Sequence, residues 1–240
     1  MVTAGAVLRI DLAAVRRNYH ALTTRLGATK LAGVVKADGY GLGAPQIATA
    51  LAAEGCTTFF VATADEALAL RAALPAPEIH VFDGVQSGEE AAEFAARRIV
   101  PVLNSLQMID LWRAKGNGAP ADLHVDTGMA RLGLDESELA TVLAEPKRLD
   151  GISLDVLMSH LAVADEAEHS LNAQQLHRFR AVIPRFAAKR RSLANSSGVF
   201  LGADYHFDLA RVGLALYGAN PVPGHPNPMA QVIRLQGKIL

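Results

Sequence analysis

Val34-Val35-Lys36-Ala37-Asp38-Gly39-Tyr40-Gly41-Leu42-Gly43 carries an apolar run into a lysine, a tyrosine and three closely spaced glycines. A strand that delivers one lysine to its C-terminal end can hold the amine partly out of water. Desolvation favours the neutral amine, the nucleophilic form that condenses with a carbonyl to a Schiff base. The glycines let backbone approach a ligand such as phosphate with no Cβ in the way. Taken alone, the stretch also fits a strand-end lysine that snorkels to the surface. The pattern on either side decides between the two.

Working outward, short β-type runs fall at 31–36, 57–62, 79–82, 99–103, 123–125, 152–159, 192–195 and 205–209. Most lack strict alternation, as strands buried on both faces do. Capped helices are expected between them. Pro45 suits a first helical turn and Gly55 a helix end. Thr63 with Glu66, and Ser87 with Glu90, each spell a capping box. Ser105 would cap a helix presenting Leu106, Ile109 and Trp112, with Gly116 closing it. Eight such units predict an α/β fold of (β/α)8 TIM-barrel type over residues 1–220; an open doubly wound sheet shows the same alternation. The tail differs. Residues 221–228, Pro-Val-Pro-Gly-His-Pro-Asn-Pro, read as a stiff linker, and residues 231–240 begin one more strand. That strand could add to the barrel, pair with a partner or open a further domain.

The 240 residues are half apolar and 20% charged, with a formal net charge of -1. No basic excess is available to meet phosphates, which argues against a general nucleic-acid binder. No apolar run reaches the roughly 20 residues of a membrane span. Cys56 is the only cysteine, so no internal disulfide can form. Charges interrupt the first apolar stretch, Val7-Leu8-Arg9-Ile10-Asp11, which does not read as a signal peptide. A cytoplasmic protein is expected. The eight histidines are scattered without zinc-like spacing, and no metal is expected.

In a barrel of this type, reactive groups gather at the C-terminal ends of the strands. There the chain places Lys36 and Tyr40, then Asp126, Thr127 and Arg131, then Ser159 and His160, then Asn195, Ser196 and Ser197, and last Arg211 and Gly213. Each alone reads as structural: Asp126-Thr127-Gly128 as a turn, His160 as a core histidine. Together, an amine, two guanidiniums, hydroxyls and open glycine backbone suit an anionic ligand bearing a carbonyl. Gly213 and the following amide could offer N–H groups to a phosphate.

Five segments carry a resemblance: 34–43; His124-Val125-Asp126-Thr127-Gly128-Met129-Ala130-Arg131-Leu132-Gly133; Met158-Ser159-His160-Leu161-Ala162; Ala194-Asn195-Ser196; and Arg211-Val212-Gly213-Leu214-Ala215-Leu216-Tyr217-Gly218. In this order they resemble the alanine racemase family, fold-type III enzymes that use pyridoxal 5'-phosphate (PLP). The resemblance implies a cytoplasmic isomerase that interconverts L- and D-alanine for peptidoglycan, working as a homodimer on a small amino-acid substrate. By the same resemblance, Lys36 would hold PLP covalently and then serve as one of two catalytic bases. Tyr40, Ser196 and the backbone of Gly213 and Leu214 would hold the phosphate. Arg131 would donate to the phenolic oxygen, and His160 would pack on the ring with Asn195 close by. Arg211 would face the pyridine nitrogen. A donor-only cation there keeps that nitrogen unprotonated and limits electron withdrawal, which favours immediate reprotonation of the carbanion.

The chain also departs from the family. The second base, a tyrosine on a C-terminal β-domain, has no counterpart in it. Residues 221–240 resemble only the linker and first strand of that domain, which implies a truncated form with impaired activity. Asp38-Gly39 replaces a common Asn-Ala, and Leu42 a common histidine. His124 stands where a lysine, often carbamylated, supports the arginine matching Arg131, so Arg131 would lean on Asp126 or another group. Ser192 stands where a histidine backs the arginine matching Arg211. Three readings compete: a non-catalytic single-domain PLP carrier, a racemase of another amino acid such as serine, and a phosphate-binding barrel without PLP.

Overall fold

The structure, a computed structural model, describes residues 5–237. Ten strands are present: β1 (Ala6–Ile10), β2 (Lys30–Val34), β3 (Thr58–Val61), β4 (Glu78–Val81), β5 (Ile99–Leu103), β6 (Pro120–His124), β7 (Ser153–Met158), β8 (Arg190–Ser192), β9 (Leu209–Val212) and β10 (Ile233–Gly237). Strands β2 to β9 form one parallel sheet in the order β8-β7-β6-β5-β4-β3-β2-β9. Its two ends meet through backbone bonds from Asp208 N to Arg191 O (3.0 Å) and from Arg211 N to Ala194 O (2.9 Å). The sheet therefore curls into a barrel, and the open doubly wound alternative falls away.

Seven α-helices wrap it: α1 (Leu12–Leu26), α2 (Ala44–Ala53), α3 (Ala64–Ala73), α4 (Gly88–Arg97), α5 (Leu106–Lys115), α6 (Glu136–Ala144) and α7 (Ser170–Val182). The expected caps are in place. Thr63, Ser87 and Ser105 accept from the amides of Glu66, Glu90 and Met108, each bond contributing about 1 kcal/mol. Alternate strand positions separate two cores. One lies between strands and helices and includes Phe59, Trp112 and Phe179. The other, built of Ala32, Val34, Phe60, Val102, Val156, Met158 and Leu209, fills the barrel. Within it Phe60 stacks on His80 at 4.6 Å, and His80 Nδ1 sits 2.7 Å from Asp122 Oδ2. The interior is packed and closed, so ligands meet the barrel at its mouth.

Several strand boundaries differ from expectation. The last barrel strand is Leu209–Val212, not 205–209. Residues 205–209 alternate apolar and polar like a strand, but Ala203–Tyr205 is a 3-10 turn and Phe207 has φ of 51°. Arg211 thus lies on a strand rather than after one. The preceding strand is Arg190–Ser192 rather than 192–195. Its arginines pair with acidic partners on neighbouring segments, Arg190 with Glu78 and Asp155, and Arg191 with Asp208. Pro120 opens β6, a first position where its missing N–H costs nothing.

The tail strand does not join the barrel sheet. β10 pairs antiparallel with β1, from Ala6↔Gly237 to Ile10↔Ile233, and residues 238–240 lie outside the described residues. The linker is fastened by buried Asn18 of α1. Its side chain donates to Leu216 O and Ala230 O and accepts from Ala230 N at 2.7 Å. The two-stranded ribbon is open to solvent, with Leu8 50% and Leu235 71% exposed.

Candidate active site

Directly after β2 the backbone does something unusual for L-residues. Ala37, Asp38, Gly39 and Tyr40 all adopt left-handed helical angles, with φ from 50° to 63°. Each non-glycine residue there costs roughly 1–2 kcal/mol, so surrounding bonds must hold the turn. Gly39 N donates to Val35 O and Gly43 N to Asp38 O, both at 2.9 Å. Ala44 N donates to Asp38 Oδ1 at 2.8 Å, and Ala37 N donates to Glu66 Oε1 at 2.7 Å. The turn places Lys36 two residues beyond the strand rather than on its last position, half-buried, with Nζ 5.7 Å from the centre of the Phe82 ring. Burial, then the charge of Arg131, lowers the Lys36 pKa, against the pull of Glu66 and Asp83. One left-handed turn further on, Tyr40 packs its ring against Tyr217 at 4.6 Å. Tyr217 is anchored in turn by its hydroxyl, which donates to Val34 O at 3.1 Å.

Opposite, the segment after β9 passes beneath the Tyr40 hydroxyl. A Cβ on Gly213 would overlap Tyr40 Oη and lie 3.0 Å from Cζ; only glycine permits this approach. Ser196 Oγ accepts from the amides of Gly213 and Ala215, each at 3.2 Å. Its own proton is thereby free to point elsewhere. Leu214 stands 42% exposed beside it.

Arg211 rises from inside the barrel and is only 3% exposed. Its guanidinium donates to Ser192 Oγ, to Ser159 O at 2.5 Å and toward His160 Nδ1 at 3.3 Å, while its Nε has no partner among the described residues. Ser192 therefore does back Arg211, as a hydroxyl in place of an imidazole. Burial brings the Arg211 pKa down to about 10, which leaves it cationic at neutral pH. Burial, then Arg211, pushes His160 well below the ordinary imidazole range. The same causes bring His124, bonded to Asn104 Oδ1 at 2.9 Å, down to about 3. Both rings are neutral.

The expected support of Arg131 by Asp126 is not what the carboxylate does. Asp126 accepts from the amides of Gly128, Met129 and Ala130 at 2.8–2.9 Å and so shapes the turn that carries the arginine. Arg131 itself is exposed and makes no ion pair among the described residues. Asn195 is likewise engaged by backbone, donating to Leu161 O and accepting from Gly198 N.

All nine expected side chains and backbone positions line a single cavity of about 320 Å³: Lys36, Tyr40, Arg131, His160, Asn195, Ser196, Arg211, Gly213 and Leu214. Hollows near the β1–β10 ribbon and beside residues 164–169 gather no comparable set. Ser197, expected at the same rim, also lines the wall; Val34, Phe82, Asp165, Asn220 and Pro223 complete it and were not anticipated. Phe82 ended the run 79–82, so its place on the rim was available in sequence. Asn220 and Pro223 reach the mouth only because the linker folds back, which no local pattern announces. Lys36, Arg131 and Arg211 outnumber the lone carboxylate, Asp165.

Such a mouth, cationic and amine-bearing at the C-terminal end of parallel strands, places the chain among α/β barrels shaped to hold anionic ligands. Comparison with known proteins narrows this. The family described as "Alanine racemase, N-terminal domain" matches residues 10–221. The chain is 53% identical over 236 residues to the alanine racemase of Acidiphilium cryptum, covering 97% of this chain and 66% of that one. It is 49% identical over 244 residues to the catabolic alanine racemase of Mesorhizobium japonicum, covering 98% and 63%. The crystal structure of Bartonella henselae alanine racemase with covalently bound pyridoxal phosphate superposes with a TM-score of 0.92 at 40% identity, over 99% of this chain and 67% of that one. The chain belongs to the alanine racemase N-terminal domain family and spans 63–66% of the length of these two relatives.

Proposed function

We propose that this chain holds pyridoxal 5'-phosphate at Lys36 and, as the barrel of an alanine racemase, takes part in interconverting L- and D-alanine. The observation that carries the reading is the cradle in which Gly213 backbone, the Ser196 hydroxyl and the Tyr40 hydroxyl converge within the same cavity as Lys36. The fit to PLP is chemical as well as spatial. The cradle takes a phosphate, the two guanidiniums and the amine balance its charge, and among the described residues Lys36 is the one lysine lining the cavity. The relative from Bartonella henselae is described with this group bound covalently.

In this reading, Tyr40, Ser196 and the amides of Gly213 and Leu214 hold the phosphate. Arg131 donates to the phenolic oxygen and neutral His160 packs against the ring, with Asn195 fixing the loop beside it. Arg211 faces the ring nitrogen as a cation that cannot accept a proton. Bound there, PLP would supply the electron withdrawal that acidifies the Cα–H of an attached amino acid. The rest falls to side chains. The lowered pKa of Lys36 raises the fraction of neutral amine, the form able to take the Cα proton on its own face. The Phe82 ring, its centre 5.7 Å from Nζ, sets apolar surface beside that amine. The opposite face needs a second acid–base group, which we assign to the part of the racemase beyond the length of this chain.

We further propose that residues 1–220 are the cofactor-binding unit and that residues 221–240 are the linker and first strand of a β-domain. The exposed ribbon of β1 and β10 supports that division. A cytoplasmic homodimer supplying D-alanine for the cell wall completes the proposal. Among the described residues, no helix is long and apolar enough to cross a membrane. The test is Cα–H exchange of L- and D-alanine in D2O, followed by NMR with PLP present. It is run on the chain alone and on the chain joined to the C-terminal third of a relative. Exchange that appears, or rises sharply, with the appended third supports the reading; none in either form contradicts it.

A further inference from the structure

We propose that Glu66 is the positioning residue for Lys36, clamping the entrance of the left-handed turn to the end of β3. This rests on the reading of Lys36 as the attachment point for PLP.

In sequence, Thr63 and Glu66 spell a capping box, whose acidic side chain should reach back only to the start of its own helix. The companion box at Ser87 and Glu90 keeps to that pattern, with Glu90 Oε2 accepting locally from Gln86 N at 2.5 Å. Glu66 divides its carboxylate. Oε2 accepts from Ala62 N at 2.8 Å, the local duty. Oε1 accepts from Ala37 N at 2.7 Å, the amide immediately after Lys36. The first bond inside the turn is donated by Gly39, to Val35 O, so the Ala37 amide has no acceptor within the turn. A carboxylate is the strongest acceptor a side chain can offer it. It meets the turn where the strain begins, at three non-glycine residues with left-handed angles. Without the clamp, Ala37 can return to right-handed or extended angles, and the direction of the adjacent lysine changes with it.

The carboxylate also contributes charge. Arg131, from the turn after β6, and neutral His160, after β7, face the amine, as do Glu66 of α3 and Asp83 after β4. Tyr40 and Arg211 line the same cavity. Glu66 and Asp83 oppose Arg131, so removing one of them should shift the pH at which the amine reacts.

The test compares wild type with Glu66→Gln, Glu66→Ala and, as a capping control, Glu90→Gln. One arm is amide hydrogen exchange of the 36–43 segment without PLP. The other is trapping of Lys36 by PLP and borohydride as a function of pH, with the labelled peptide mapped. Expected are exchange about tenfold faster or more in Glu66→Ala, the scale of one lost charge-assisted bond, with slower trapping. In Glu66→Gln, which keeps the volume and one acceptor, the trapping midpoint moves to lower pH. Glu90→Gln changes neither. Wild-type exchange and an unmoved midpoint in Glu66→Gln overturn the proposal, even if Glu66→Ala fails to fold. If wild type is not labelled at Lys36, the functional reading falls, and the exchange arm still decides the clamp.

Discussion

Gly213→Ala is the most informative single methyl group to add to this protein. The backbone at Gly213 has φ of -117° and ψ of -83°, outside the left-handed region that favours glycine. The new Cβ would overlap Tyr40 Oη and crowd Cζ at 3.0 Å and Cε2 at 3.2 Å. The Tyr40 ring has little room to yield, since Tyr217 packs on it at 4.6 Å and its own backbone lies in the left-handed turn. The hydroxyl must leave the cradle. If it donates to the phosphate, one hydrogen bond to a charged group is lost, worth about 1.5–3 kcal/mol, or about 10- to 150-fold in PLP affinity. Fold stability should fall by less, because the displaced group sits at an open mouth where Tyr40 is 39% exposed. The assay is PLP titration by visible absorbance for wild type, Gly213→Ala, Tyr40→Phe and the double variant. Both singles should weaken binding, and the double should be no worse than the stronger single, because each removes the same bond. Unchanged affinity in Gly213→Ala, or full additivity in the double, refutes the reasoning.

Three further outcomes follow from other parts of the molecule. Buried Gln175 of α7 donates to His160 O and Thr127 Oγ1 and accepts from Ala162 N. Gln175→Leu should cost about 2–4 kcal/mol from the unsatisfied groups it leaves, read as a lower urea midpoint, with faster amide exchange in the segment 159–162. Burial opposes the charged form of His80, but Asp122 and Glu78 outweigh it and hold the imidazolium to about 9. A raised folded pKa gives stability that is complete below about 6.5 and lost as pH climbs toward 9. His80→Phe should therefore flatten the alkaline limb of the stability–pH curve, and a limb that survives excludes His80 as its source. The Glu78 carboxyl is held down to about 2, chiefly by the His80 imidazolium, whose Nε2 lies 3.7 Å from Oε2, with Arg190 and Thr58 contributing. Its stabilisation is present above about 4.5 and fades as pH falls toward 2. Glu78→Gln should accordingly shallow the acid limb measured by denaturant titration.

Local signals transferred well from sequence to structure. Thr63, Ser87 and Ser105 cap where the sequence placed them, because a capping bond spans three residues and needs no tertiary context. The barrel itself was legible from buried strands alternating with capped helices. The failures came where distant partners decide. The strand expected at 192–195 falls instead at Arg190–Ser192, where Glu78, Asp155 and Asp208 meet Arg190 and Arg191 across it. Residues 205–209 have a strand's alternation but a turn's dihedrals. The left-handed turn at Ala37–Tyr40 had no sequence signal beyond its glycines, because its stability is supplied from elsewhere, by Glu66 and Ala44. Arg131 was expected to lean on Asp126 or another group, whereas three nearby amides take that carboxylate first. The family segments supplied the nine expected site positions, and the fold brings those residues to one cavity. What they could not show is that the linker, through Asn220 and Pro223, closes part of the wall.

The central claim concerns one amine. Adding PLP to the chain, reducing with borohydride and mapping the pyridoxyl-labelled peptide tests it directly. The label should fall on Lys36 alone and vanish in Lys36→Ala; a label on any other lysine, or one that persists in Lys36→Ala, contradicts the account.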